Sequence, residues 1–252
     1  MKPSIASRPY QTVGAPFVAS QEHSFETEEI AVNIGILGTG NLAVTLGRAW
    51  ASAGHSLLVT GRDPLHAKAT ADQIGPVAKA VDPADLAAQV DVLVVAVAWE
   101  GLRAALSLVG APEGSLAGKA VIDCTNPVDY TTGELKPVAG SAATLVADTA
   151  PDAHVVKGLH LFAGASWPYV GPQESAPVVA ICGDDSSALD RAAALIQDLG
   201  ARPAVVGGLN CARQLEEAAG FVMRVVAAGH NPRLAVPDVD PALLRAAQTA
   251  VG

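Results

Sequence analysis

The run Gly38-Thr39-Gly40-Asn41-Leu42-Ala43 constrains this chain more than any other stretch. It has the form G-x-G-x-x-A and directly follows the apolar segment Ile34–Leu37. Between a strand and a helix, this pattern points to a βαβ unit built to hold a pyrophosphate. Glycine at 38 permits the tight turn, and glycine at 40 leaves no side chain between backbone and phosphate. Ala43 lets helix and strand pack closely. A phosphate held there meets free N–H groups and the positive end of the helix dipole.

Apolar runs alternate with amphipathic segments from the glycine run onward. The pattern predicts strands at 30–37, 56–60, 77–81, 91–98 and 119–124. Helices are expected between them at 41–53, 65–74, 82–90 and 101–109. A second block predicts a helix at 142–147, strands at 154–161 and 177–182, and a helix at 186–199 with Ser186 as its N-cap. A strand at 203–206 and an apolar helix at 211–228 follow, and a short helix is expected at 241–250. The βαβα order gives an α/β fold, a Rossmann-type doubly wound, mainly parallel sheet with a small C-terminal helical addition. Three regions are expected: an N-terminal extension (1–30), partly disordered; a dinucleotide-binding domain (31–207); and a dimer-forming helix and tail (208–252).

Composition narrows the function classes. The formal charge of −9 over 252 residues argues against a nucleic-acid surface. No apolar run reaches membrane-spanning length, so no membrane partner is expected. Cys124, Cys182 and Cys211 are odd in number and widely spaced, which suits a reducing cytoplasm better than a disulfide scaffold. No His, Cys, Asp or Glu cluster has the spacing of a metal site.

The second strand selects the cofactor. An NAD site places Asp or Glu near its end to bind the ribose 2′-hydroxyl, whereas this strand ends Thr60-Gly61-Arg62. Arg62 offers a fixed fork of donors for a 2′-phosphate, so NADP is expected over NAD. Thr60 would add a hydroxyl and His66 a further partner. The opposing reading pairs Arg62 with Asp63 on the surface.

General acid–base machinery is sparse. Tyr130 and Lys136 are too far apart for Tyr-x-x-x-Lys, and no Gly-x-Ser-x-Gly elbow occurs. His160 reads either as a satisfied core residue or as a catalytic donor at the carboxyl end of a strand. A good dinucleotide loop without an acid–base pair suits hydride exchange between two ring cofactors, which carry the chemistry while the protein aligns them. Two other readings use the same loop: NADPH-dependent reduction of a small carbonyl or imine, and a non-catalytic NADP-binding sensor.

Several motifs together resemble the NADPH-dependent coenzyme F420 reductases. They are residues 33–43, Gly61-Arg62, Ala98-Trp99-Glu100, Leu159-His160, Ile181-Cys182-Gly183-Asp184-Asp185 and Ala212-Arg213-Gln214-Leu215-Glu216. The last is also similar to the reductase domain of membrane ferric reductases. The resemblance implies that Gly38, Thr39, Gly40, Asn41 and Leu42 cradle the pyrophosphate, with Gly61 and Arg62 on the 2′-phosphate. Ala98 and Trp99 would lead to the nicotinamide, bordered by Thr125, Asn126 and Pro127. His160 and Gly164 would face the reacting rings. It implies a small-molecule acceptor, F420 or a flavin (FMN or FAD), and a homodimer. The phosphate of F420 calls for basic residues, with Arg202, Arg213, Arg224 and Lys157 as candidates.

Overall fold

A computed structural model describes residues 31–137, 139–240 and 242. The expected N-terminal extension and the helix over 241–250 fall outside these residues, Ala242 excepted. Residues 31–238 of the described chain belong to one compact unit.

Its element order is β1 (Asn33–Leu37), α1 (Asn41–Ser52), β2 (Ser56–Thr60), α2 (Pro64–Ile74), β3 (Ala78–Ala80), α3 (Pro83–Gln89), β4 (Val92–Val95), α4 (Leu102–Leu108), β5 (Ala120–Asp123), α5 (Ala142–Thr149), β6 (His154–Lys157), β7 (Val178–Gly183), α6 (Ser186–Asp198), β8 (Arg202–Val205) and α7 (Ala212–Ala227). The strands form one sheet in the order β3-β2-β1-β4-β5-β6-β7-β8. Every pairing is parallel except β6 with β7, where Val156 faces Gly183 and Lys157 faces Cys182. This is the doubly wound α/β fold. The direction of winding reverses between β1 and β4, so a crevice opens at their carboxyl ends.

Alternation within the strands builds two cores. Ile34, Ile36, Val92, Val94, Ile122 and Val156 face α1, α2 and α6. Leu37, Leu93, Val95, Val121 and Val155 face α3, α4, α5 and α7. Trp50 of α1 is wholly buried, and its indole N–H donates to the Leu195 carbonyl of α6 at 2.9 Å. That bond fixes two helices on one face and satisfies the one polar atom the ring carries inside.

Three sequence expectations need correction. Asp185, not Ser186, caps α6: its carboxylate accepts from the Ala188 N–H at 2.8 Å. Asp185 stands one residue earlier, with extended backbone, so its short carboxylate reaches the first-turn donors. The strand predicted over 91–98 ends at Val95, because Ala98 leads into a turn of 3-10 helix at Trp99–Gly101. The strand predicted over 154–161 ends at Lys157, and Leu159 then takes a left-handed backbone with φ of 58°. Both shortenings turn the chain outward above the carboxyl edge of the sheet.

Candidate functional site

The glycine run spans the crevice between β1 and β4. The Gly38 N–H donates to the Thr60 carbonyl at 2.9 Å, and the Ala96 N–H donates to the Leu37 carbonyl at 2.9 Å. Gly38 has φ of +138°, and a Cβ there would lie 2.2 Å from the Ala96 carbonyl oxygen. Glycine at 38 is therefore required by the protein itself. Gly40 differs. Its backbone is ordinary (φ −86°, ψ −177°), and a Cβ there would meet nothing within 4 Å. No side chain caps α1, and no acidic residue occupies its first turn. The open volume over Gly40 and the uncapped helix start together match what a pyrophosphate needs.

Two contiguous cavities flank this loop. One, of about 440 Å³, is lined by Gly38, Thr39, Gly40, Gly61, Arg62 and residues of α4 and of the loop after β4. The other, of about 500 Å³, is lined among others by Asn41, Leu42, Asn126, His160 and Gly164. Gly40, Ala98 and Glu100 border both, and Trp99 borders the second. Arg62 stands exposed at the first cavity with no carboxylate partner among the described residues. Asp63 is engaged elsewhere, capping α2 through the Leu65 N–H at 2.9 Å and lying 3.2 Å from His66 Nδ1.

Four residues expected at the site do not line either cavity. The Thr60 hydroxyl is fully buried and donates to the Val81 carbonyl at 2.9 Å, so it serves the edge of the sheet. His66 lies on the outer surface of α2 against Asp63. Thr125 is buried, with its N–H on Asp123 Oδ1 at 2.9 Å and its carbonyl receiving the Lys157 ammonium. Pro127 is buried, and its carbonyl accepts from the Lys136 N–H at 2.7 Å. In their place Cys124 and Val128 face the second cavity. Burial pushes the Cys124 thiol well above its ordinary range, which makes it a poor nucleophile.

His160 lines the second cavity, but not as a donor. The ring is 5% exposed, and its Nε2–H donates to the Leu215 carbonyl of α7 at 2.9 Å. Burial first, and the Lys157 charge second, lower its pKa to about 3. A neutral ring whose hydrogen sits on Nε2 has only a lone pair at Nδ1. The expectation of a hydrogen-bond donor here is corrected for that reason. Asn126 Nδ2 donates to the His160 carbonyl at 2.5 Å, which ties the β5 and β6 loops together.

Sequence reasoning missed a buried charge cluster. Lys157, Asp123 and Glu216 are all fully buried. The Lys157 ammonium lies 2.9 Å from Asp123 Oδ2 and 2.9 Å from Glu216 Oε1. Glu216 also accepts the Ala142 N–H at the start of α5. Burial opposes the lysine charge, but the two carboxylates prevail and hold its pKa above the ordinary value. The available signal was a lone lysine in the apolar run Val155-Val156-Lys157. The sequence offers it as a cation for the acceptor's phosphate, a role that full burial rules out. Arg202 lies at a separate cavity with Gln173 and Gln197. Arg213 pairs with Glu217 at 2.9 Å, and Arg224 pairs with Glu134 at 3.3 Å.

Comparison with known proteins accords with this geometry. The model of a family described as NADP oxidoreductase, coenzyme F420-dependent, matches residues 33–127. A solved structure from Arthrobacter sp. FB24, described as a candidate F420-dependent NADP reductase, is 29% identical with a TM-score of 0.69; the match covers 79% of this chain and 96% of that one. Metalloreductase STEAP3 of Rattus norvegicus is 30% identical over 192 residues. The chain is similar to the F420-dependent NADP oxidoreductases, and these matches make it an NADP-dependent oxidoreductase. The match to STEAP3 covers 76% of this chain but 37% of that protein, so the chain spans about a third of the length of the curated relatives it matches. An Aspergillus terreus reductive aminase solved with NADPH shares the fold at 20% identity and a TM-score of 0.55, over 79% of this chain and 64% of that one. The family glycine run lies wholly inside the matched residues, as does the Arg62 position.

Proposed function

We propose that this chain binds NADPH and passes its hydride to a flat ring acceptor, a deazaflavin such as F420 or a flavin. The observation that carries this reading is the paired groove: an open glycine cradle at one end with Arg62, which has no carboxylate partner among the described residues, and a cavity walled by Trp99, Tyr130 and Phe162 at the other. The backbone of Gly40, Asn41 and Leu42 binds the pyrophosphate, and Arg62 grips the 2′-phosphate. Bound NADPH supplies the hydride. Trp99, Tyr130, Phe162 and Met223 line the acceptor cavity, hold a ring by apolar contact and exclude water. His160 and Asn126 fix the loops that shape this wall. Neutral His160, with its hydrogen committed to Leu215, is not the proton donor that reduction of a carbonyl oxygen would ask of it, which favours the ring-to-ring reading.

Residues 208–252 are proposed to form a dimer contact, since Phe221 and Val226 of α7 lie about half exposed. No helix among the described residues is long and apolar enough to cross a membrane. A cytoplasmic location remains part of this proposal.

The test is a panel of acceptors mixed with the purified chain and NADPH, followed through loss of the NADPH absorbance. Turnover with F420, FMN or FAD is expected. Turnover restricted to imines or carbonyls would replace this reading, and binding without any turnover would make the chain a sensor.

A further inference from the structure

One cation does reach the acceptor cavity, and it comes from an unexpected loop. The segment after β5 folds back on itself. Val128 and Leu135 pair in an antiparallel bridge, and the Asp129 N–H donates to the Glu134 carbonyl at 2.8 Å. Asp129 Oδ1 accepts the Thr131 N–H at 2.8 Å, and the Lys136 N–H donates to the Pro127 carbonyl at 2.7 Å. The backbone of Lys136 is therefore fixed at the foot of a closed loop. The loop sits against α7, where a Cβ on Gly220 would fall 2.3 Å from the Gly133 carbonyl oxygen. Only two glycines allow that approach. The same stretch of α7 delivers Met223 to the cavity.

Lys136 is the only lysine or arginine among the described residues lining the acceptor cavity. Its ammonium pairs with the Glu100 carboxylate. Glu100 belongs to the loop after β4 and borders both cavities, whereas Lys136 borders the acceptor cavity alone. The Lys136 side chain is 36% exposed and that of Glu100 63%. A pair this accessible contributes little to stability, because water and salt compete with it. Its two members come from different loops and meet at the mouth of a cavity built for a ring.

We propose that Lys136 is the specificity residue of the acceptor cavity, recognising a phosphate on the side chain of the ring acceptor, with Glu100 occupying that position until the acceptor arrives. This rests on the ring-acceptor reading above. A phosphate carries more charge than a carboxylate and offers three acceptor oxygens, so it displaces Glu100 from a flexible ammonium. Glu100 is then a competitor, and removing it strengthens acceptor binding. A merely structural ion pair would behave in the opposite way, with either substitution weakening all ligands alike.

Riboflavin and FMN share one ring and differ by a phosphate, so they isolate this contact. Flavin fluorescence titrated with the whole protein at low salt measures affinity without relying on turnover. FMN is expected to bind about tenfold more tightly than riboflavin, the scale of one charge-assisted hydrogen bond. Lys136→Ala brings FMN down to the riboflavin level while riboflavin and NADPH affinities stay unchanged. Lys136→Arg keeps the preference, and Glu100→Gln tightens FMN severalfold. Equal affinity for the two flavins, no binding of either, equal losses in Lys136→Ala, or weakened FMN binding in Glu100→Gln each overturn the assignment. NADPH oxidation is read in parallel. Absence of turnover beside an intact phosphate preference refutes the hydride reading alone, whereas turnover without that preference refutes the role of Lys136 alone.

Discussion

Substitution of Gly40 by alanine separates the stability of this fold from its ligand chemistry. The backbone there accepts a side chain, since φ is −86° and a Cβ meets nothing within 4 Å. Removing glycine from the unfolded chain stabilises by about 0.4–1 kcal/mol where the native backbone is compatible. Gly40 is also the N-cap of α1, and alanine is a poorer cap than glycine by about 0.5–1 kcal/mol. The two effects nearly cancel. At about 2–4 °C per kcal/mol for a domain of this size, the Tm should move by no more than about 3 °C. Binding should not be spared. A methyl group over the helix start removes one close approach of backbone N–H to phosphate, a charge-assisted bond of about 1.5–3 kcal/mol. That corresponds to a loss in NADPH affinity of about 10- to 150-fold. Isothermal titration with NADPH and a thermal scan on the same preparation give both numbers. Gly38→Ala is the contrast, because the positive φ and the 2.2 Å approach to Ala96 must lower the Tm itself. Unaltered NADPH affinity in a well-folded Gly40→Ala protein would refute the placement of the pyrophosphate.

Further outcomes follow from other residues of the site. Arg62→Ala should weaken NADPH by about tenfold or more and NADH little, because only the former carries the phosphate that a free guanidinium binds; equal effects in a paired titration would remove the basis for NADP preference. Lys157→Met leaves Asp123 and Glu216 buried without their cation and should cost about 3–5 kcal/mol, seen as a fall in urea midpoint. The raised pKa of Lys157 has a pH signature: its contribution is complete below the unfolded value near 10.5 and is lost as pH rises through the folded value, so the alkaline limb of the stability curve should flatten in Lys157→Met. His160 gives the converse. Its pKa is lowered from about 6.5 to about 3, so its contribution is present above 6.5 and lost as pH falls toward 3, and His160→Gln should flatten the acid limb between those values.

The sequence was most legible where chemistry is local. The glycine run, Arg62 and the strand–helix alternation each lie within a few residues, and spacing alone defines them. Thr60 shows where local reading stops. Its position at the end of β2 was apparent, but the direction of its hydroxyl depended on the Val81 carbonyl of the neighbouring strand. Thr125 and Pro127 flank residues that line the second cavity, yet neighbouring groups claim their polar atoms. Lys157 was misread for the same reason, since its partners lie 34 residues earlier and 59 later in the chain. Periodicity reports which face of an element is buried, not which distant carboxylate meets it there.

The division between legible and illegible residues runs through the site itself. The glycine run, Gly61 and Arg62 of the dinucleotide half come from one supersecondary unit, so they travel together in sequence. The acceptor half is assembled from the loops after β4, β5 and β6 and from α7. α7 meets the surrounding chain at three points: Glu216 on Lys157 of β6, the Leu215 carbonyl on His160, and Gly220 against Gly133 of the loop after β5. His160 lines the second cavity itself, while Lys157 and Gly133 belong to the strand and the loop that lead into its wall. Changes in α7 should therefore alter acceptor affinity while leaving NADPH binding intact, even though Leu215 and Glu216 themselves do not line either cavity. The fold thus lets acceptor specificity vary through one helix while the nucleotide loop stays fixed.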